Sequence, residues 1–335
     1  MTKTAKEIVK DLFLRRPVDR LPVVPWVFRH AAKLEQVSVQ GMFSSSHVLS
    51  KTLNNAQKLY GYDVIINNFD PTLEAEACGC NISWENVEEF PRLIGCLGAD
   101  KVEAINVQEV ESRGRLPVVI SATQALRITA GKSVAIAGVV TGPLTLAGYL
   151  TGRDILHDLE TNPEVIERAV DQSAKVSLKV AKLYCELRVD LVVVADEQLG
   201  RVKSHIVPRL TRYLRPIWNV AHYYEAYTVL LTKGNGSAEQ FANIVALGAD
   251  AVAAGLVTPL KDGPASRRGA CLGVPVPLST LLGQTNCIEE AVAKLLYQAS
   301  LDRLFLTTEW EVPFDTPVEN MHHFMHCARK QPRTI

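Results

Sequence analysis

The sequence predicts an α/β protein built as a single (β/α)8 barrel. Three observations carry this. Seven short, β-branched apolar runs alternate with segments of 3.6-residue apolar spacing. The runs are continuous rather than alternating, as strands covered on both faces of a parallel sheet must be. No glycine-rich dinucleotide fingerprint is present, which favours a barrel over a doubly wound sheet.

Taken in order, MTKTAKEIVKDLF opens an amphipathic helix and lacks the uninterrupted apolar stretch of a signal peptide. The strand runs follow at 22–26 (PVVPW), 63–69 (DVIINNF), 133–140 (SVAIAGVV, taken as the fourth strand), 190–196 (DLVVVAD), 227–233 (YTVLLTK), 250–257 (DAVAAGLV) and 303–310 (RLFLTTEW). The clearest helices are 163–188, 206–226, 237–248 and 286–299. Asn162-Pro163 reads as a cap followed by a proline in the first turn, and Ser237 with Glu239 approximates a capping box. No Ser/Gly/Pro-rich linker divides the chain, so residues 1–335 are expected to form one domain: an N-terminal helix to 18, the barrel over 19–316, and a C-terminal helix and tail over 317–335.

With 47% hydrophobic and 21% charged residues, the 335-residue chain can bury a large core. Thirty-six basic residues balance thirty-six acidic ones, leaving no overall positive field for nucleic acid or an anionic membrane. The partners expected are small molecules and proteins. No apolar run is long enough to span a bilayer, so a cytoplasmic location is expected. Seven irregularly spaced cysteines fit reduced thiols, and Cys78-Gly-Cys80 is too close for an ordinary disulfide.

A barrel places its chemistry where the strands end. Arg29, His30 and Lys33 lie just beyond the first strand, although charges there also suit an ordinary exposed helix start. Asn67-Asn68-Phe69-Asp70 ends the second, and a buried carboxylate such as Asp70 must be hydrogen-bonded or functional. Gly142-Pro143 turns the chain into a helix carrying Tyr149, which suits either the core or a site. Asp196 and Glu197 are adjacent, so they cannot both point inward on a continuing strand. The run at 227–233 breaks abruptly at Lys233-Gly234-Asn235-Gly236.

The segments RLPVVPWVFRHAAK, NNFDPTLEAEACGC, VVTGPLTLAGYLTG, VVVADEQLG, LTKGNGSAEQF and DTPVENM together resemble the uroporphyrinogen decarboxylase superfamily, over about Asp19 to Asn320. That superfamily also contains the cobamide-dependent methyltransferases acting on methanol, methylamines, coenzyme M and methoxyaromatics. The resemblance implies a barrel of the uroporphyrinogen decarboxylase type with a deep polar cleft at the strand C-termini. Arg29 matches the first arginine of the decarboxylase motif, and Lys33 replaces the second. Asp70 and Tyr149 match the decarboxylase aspartate and tyrosine, and Lys233-Gly234 a decarboxylase Lys-Gly.

Other positions depart from both branches. The zinc methyltransferases place His-x-Cys-Gly where Leu231, Thr232, Lys233 and Gly234 stand, and their third cysteine falls at about Trp310. The decarboxylase aspartate and tryptophan become Gly255 and Leu256, its Gly-Asn-x-Asp-Pro turn becomes Gly273 to Pro277, and its late Gly-His-Gly becomes Glu309-Trp310-Glu311. A site for eight carboxylates needs more arginines than this mouth supplies, so uroporphyrinogen itself is not the expected substrate.

The resemblance therefore implies a cobamide-dependent methyltransferase component, moving a one-carbon group between a small donor or acceptor and a corrinoid presented by a partner protein, with no zinc expected. A homodimer fits the family. Asp70, Tyr149, Lys233 and Arg29 are the catalytic candidates; His30, Lys33, Asn68, Asp196, Glu197, Glu309 and Trp310 are the substrate-binding ones. Two alternatives stand beside this. One is a metal-free decarboxylase in which Arg29 binds carboxylate, Asp70 steers the substrate and Tyr149 assists. The other is a non-catalytic corrinoid or tetrapyrrole binder. Asp196, Glu197, Glu309 and Glu311 offer a carboxylate set for a harder ion.

On the last helix, His322 and His326 share one face at i, i+4 spacing, but that helix is expected outside the barrel. Replacing both by alanine is expected to leave turnover intact, and an assay of the double variant checks this; a large loss would place the pair in the chemistry.

Overall fold

Eight parallel strands organise the computed structural model, which describes residues 3–256, 269–299 and 303–330. They are β1 (Val23–Trp26), β2 (Val64–Ile66), β5 (Ala135–Thr141), β6 (Leu191–Ala195), β7 (Tyr227–Gly236), β8 (Ala251–Leu256), β9 (Cys271–Val276) and β10 (Leu304–Glu311). Their order is β1-β10-β9-β8-β7-β6-β5-β2, all pairs parallel. Helices surround this sheet, which curls into a nearly closed barrel. Residues 331–335 of the expected tail, and residue 257 of the sixth run, lie outside the described residues.

Two expectations about strands need correction. The run at 133–140 is the third barrel strand: the intervening β3 (Asn81–Ser83) and β4 (Arg92–Gly95) form a separate antiparallel pair. The missing barrel strand is β9, where the resemblance put a turn at Gly273 to Pro277. Pro275 hides it from a propensity reading, since proline donates nothing to a ladder. It is tolerated because, among the described residues, β8 pairs with β9 through Cys271, Leu272 and Gly273 alone, leaving Pro275 opposite Thr307 of β10.

The seam between β1 and β2 is closed by Asp63, which is fully buried. Its N–H donates to the Val23 carbonyl at 2.9 Å, and its carboxylate accepts from the Val23 N–H at 2.7 Å. Arg20 neutralises the charge with bonds of 2.7 and 2.5 Å. The same device recurs around the N-terminal rim. Asp190 accepts from the Ile136 N–H at 2.9 Å and pairs with Arg127 and Lys6. Asp250 accepts from the Thr228 N–H at 2.8 Å and meets His222. Each aspartate occupies the residue before its strand and captures a backbone donor of the neighbouring one, which an unpaired strand start would leave unsatisfied.

The helix Ala5–Phe13 plugs this rim. Thr4 and Glu7 form a capping box, and Ile8, Val9 and Leu12 are buried beneath it. Phe13 stacks on Tyr227 with ring centroids 4.5 Å apart. At the other helix starts the expectations are adjusted: Ser237 forms its box with Gln240 rather than Glu239, and Asn162 makes no side-chain cap bond. No described helix is long and apolar enough to cross a membrane.

Asp63→Ala leaves Arg20 without its partner and the Val23 N–H without an acceptor inside the seam. Urea unfolding should show a loss of about 3 kcal/mol, the scale of a broken buried ion pair. An unchanged midpoint would mean that the barrel closes without this residue.

Candidate functional site

The C-terminal ends of β2, β5, β6 and β10 surround a narrow cleft, lined among others by Asn68, Asp70, Thr145, Glu197 and Trp310. At the end of β2, the Asn68 side chain accepts from the Asp70 N–H at 3.0 Å and donates to the Asp70 carbonyl at 3.2 Å. This turn directs Asp70 inward, where it is 1% exposed. Its Oδ1 accepts from the Thr72 N–H and hydroxyl, both at 2.8 Å, and its Oδ2 pairs with Arg115. Arg115 also reaches Glu76 at 2.6 Å and lies against Phe43 and Trp84. Arg115 escaped the sequence reading. It stands 45 residues from Asp70, just ahead of a helix rather than at a strand end, and no local signal marks it.

At the end of β6 the two adjacent acids diverge. Asp196 turns back to the start of the helix Pro143–Thr151, accepting from the Leu144 N–H at 2.9 Å, the Thr145 N–H at 3.2 Å and the Thr145 hydroxyl at 2.8 Å. Burial pushes this carboxyl up to about 6, against the pull of those bonds. Gly142 makes room for it: a β-carbon there would lie 2.3 Å from Asp196 Cβ. Glu197, by contrast, enters the cleft and holds Lys233 Nζ at 2.8 Å. The backbone here is equally close-fitting, since a β-carbon on Gly200 would meet the Lys233 carbonyl at 2.1 Å.

Lys233 Nζ also lies 4.6 Å from the centre of the Trp310 ring. Trp310 reaches this place through a bulge: between Val24↔Thr307 and Trp26↔Glu311, β1 advances two residues and β10 four. The indole meets Phe69 edge to face at 5.1 Å, forming an apolar wall. Tyr149, half-buried on its helix, has its hydroxyl pKa raised by burial and then by Glu197, Asp70 and Asp196. It therefore keeps its proton at neutral pH beside three carboxylates.

The remaining candidates are held away from this group. Arg29 is engaged by Glu311 at 2.7 Å and by Glu89, and its guanidinium covers Phe90. Glu311, 3% exposed, is pushed by burial up to about 7, with Arg29 pulling the other way. His30 is fully buried, bonded through Nε2 to the Tyr60 hydroxyl at 2.7 Å and through Nδ1 to the Phe314 carbonyl at 3.3 Å; burial lowers its pKa. Lys33 pairs with Asp315 at 2.9 Å on the surface. Glu309 is half-buried and has no hydrogen-bonded partner among the described residues.

The residues at the positions where the resemblance puts zinc ligands do not form a zinc-binding set. Leu231 is core, the Thr232 hydroxyl accepts from the Gly200 N–H at 3.0 Å, Lys233 is cationic, and Trp310 offers a ring face. The four carboxylates considered for a harder ion do not converge either, since Asp196 caps a helix and Glu311 binds Arg29.

The barrel and the order of its elements match known proteins along nearly the whole chain. The profile of the uroporphyrinogen decarboxylase (URO-D) family matches residues 4–331, and the chain belongs to that family. It is 23% identical over 341 residues to the methylcobamide:CoM methyltransferase MtbA of Methanosarcina mazei, covering 97% of this chain and 98% of that one. A second relative, methylcobamide:CoM methyltransferase MtaA of Methanosarcina barkeri, is 24% identical over 187 residues, about half of each chain (54% and 55%). Among solved structures, a methyltransferase from Methanosarcina mazei superposes with a TM-score of 0.80 at 21% identity, covering 97% of this chain and 98% of that one, and so shares the fold.

Glu74 yields a pH test. Fully buried behind the cleft, it accepts from the Thr141 N–H at 3.0 Å and hydroxyl at 2.6 Å, yet burial dominates and pushes its carboxyl up from 4.5 to about 7. The folded protein thus holds this proton more tightly than the unfolded chain. Its contribution to stability is full below about 4.5 and is lost as pH rises through about 7. Glu74→Gln should reduce the fall in stability between about pH 5 and 8, by an amount on the order of 3 kcal/mol at most. Denaturant titrations of both proteins across that range check it; parallel curves would refute the raised pKa.

Proposed function

We propose that the chain is a corrinoid-dependent methyltransferase component whose mouth works without zinc, moving a methyl group between a small substrate and a corrinoid held by a partner protein. The observation that carries this reading is the Lys233–Glu197–Trp310 group in the cleft, where a ligand-bearing segment would otherwise stand, in a chain similar along its whole length to a methylcobamide:CoM methyltransferase. When its carrier docks above the cleft, the corrinoid supplies the cobalt that exchanges the methyl group.

The chain's own residues bind and orient the substrate. Lys233 exchanges its Glu197 partner for an anionic group of the substrate, so that the ion pair is replaced rather than left broken. Trp310 and Phe69 exclude water from the reacting end. Tyr149 donates a hydrogen bond from a hydroxyl that stays protonated, and Asp70, fixed by Thr72 and Arg115, defines the floor. In-line attack needs this positioning more than it needs a proton relay. Arg29 is less suited to gripping a substrate carboxylate, as the decarboxylase alternative requires, because Glu311 and Glu89 already occupy it.

Lys233→Ala should lower methyl transfer from methylcobalamin to an added anionic thiol by about a hundredfold, as a misplaced reactant does. Metal content should be the same in the wild type, Lys233→Ala and Trp310→Phe. Turnover that survives loss of Lys233, or a metal ion that disappears with Lys233 or Trp310, would overturn the reading.

A further inference from the structure

On the far side of the last strand, three metal-binding donors from two packed helices converge. Glu289 of the helix Thr285–Ala299 and His323 and Cys327 of the helix Val318–Lys330 each bring one ligand atom to within 4.8 Å of the others. His323 and Cys327 stand four residues apart and so share a helix face. The sequence pointed to the same helix but to His322 and His326, one residue out of register; both are exposed, and His322 leans its ring on Tyr60.

A second observation singles out this trio. His323 Nε2 is enclosed by protein and has no hydrogen-bond partner among the described residues, although a buried imidazole nitrogen left unpaired is costly. Cys327 beside it is 2% exposed. From this convergence we propose that Glu289, His323 and Cys327 bind one zinc ion, with water completing a tetrahedron. The site is separate from the cleft and does not rest on the function proposed for it.

The donor chemistry suits zinc. One imidazole, one thiolate and one carboxylate form a mixed N, S and O set of the kind this borderline ion accepts. A thiolate and a carboxylate cancel its two positive charges, so the half-buried centre carries no net charge. Binding releases the Cys327 proton to solvent. Bonds of about 2.0–2.3 Å require the donors to draw together, and the exposed Glu289 has the freedom to move.

Such an ion would clamp the C-terminal helix to its neighbour, adding to the bond that the Thr285 hydroxyl donates to Asn320 at 2.9 Å, while Asn320 also donates to the Leu281 and Gly283 carbonyls just ahead of that helix at 2.8 and 2.9 Å. The C-terminal helix follows β10, the strand that delivers Trp310 and Glu311.

Cobalt(II) added to chelator-treated full-length protein tests this. Wild-type protein should take up one ion and show a thiolate-to-cobalt charge-transfer band with the visible absorption of four-coordination. Cys327→Ser should abolish the band, His323→Ala should weaken binding at least about tenfold, and His322→Ala should retain both. Should Cys327→Ser fail to fold, Glu289→Gln, a surface change, should still weaken binding. No uptake by folded wild-type protein, or an undiminished band in Cys327→Ser and His323→Ala, would overturn the proposal.

Discussion

Everything in this barrel depends on how the ends of its parallel strands are satisfied. Within the sheet each strand finds its ladder partners, but at the rims backbone donors face either water or the next strand's loop. This chain settles the matter with carboxylates. At the N-terminal rim Asp63, Asp190 and Asp250 each accept a backbone N–H from the adjoining strand and also bind a cation or imidazole. At the C-terminal rim Glu74, Asp196 and Glu311 accept backbone N–H groups at the starts of β-to-α connections, and Glu311 also holds the Arg29 guanidinium. Because these acids are committed to the frame, they are unavailable to a substrate.

That commitment shapes the cleft by subtraction. Asp196 holds a helix start, Glu311 holds Arg29, and Asp70 is tied on both oxygens. Among the described residues, what is left at the cleft is the ion pair of Lys233 with Glu197, against the aromatic wall of Trp310 and Phe69. An ion pair with side chains 46% and 26% exposed is weak enough to open for a ligand, whereas the buried ones are not. Membership of the uroporphyrinogen decarboxylase family gives the frame, and the similarity to methylcobamide:CoM methyltransferases spans its whole length.

The fold class and most of the strand positions were legible in the sequence, because a strand buried on both faces must be written as an apolar run whatever surrounds it. The strand ends were legible for the same reason: polar residues after such runs have few places to go. So Asp70, Glu197 and Lys233 could be named one by one, whereas Trp310 was singled out only through the resemblance. β9 was not legible, since Pro275 contradicts strand propensity and is admitted only by the short pairing with β8. Nor was the role of Arg115, whose partners lie 39 and 45 residues away.

Tertiary structure alone decided which of the named residues meet. Two adjacent acids on β6 look equivalent in sequence, and only the space above Gly142 sends Asp196 to a helix start and leaves Glu197 to the cleft. The bulge in β10 carries Trp310 to Lys233 across 77 residues, which no local pattern encodes. His30, marked by its position beyond the first strand, is drawn to Tyr60 because its helix packs that way. Composition and periodicity are local properties and set the elements; contacts between elements depend on how a closed sheet folds back on itself, and there the chain had to be seen in three dimensions.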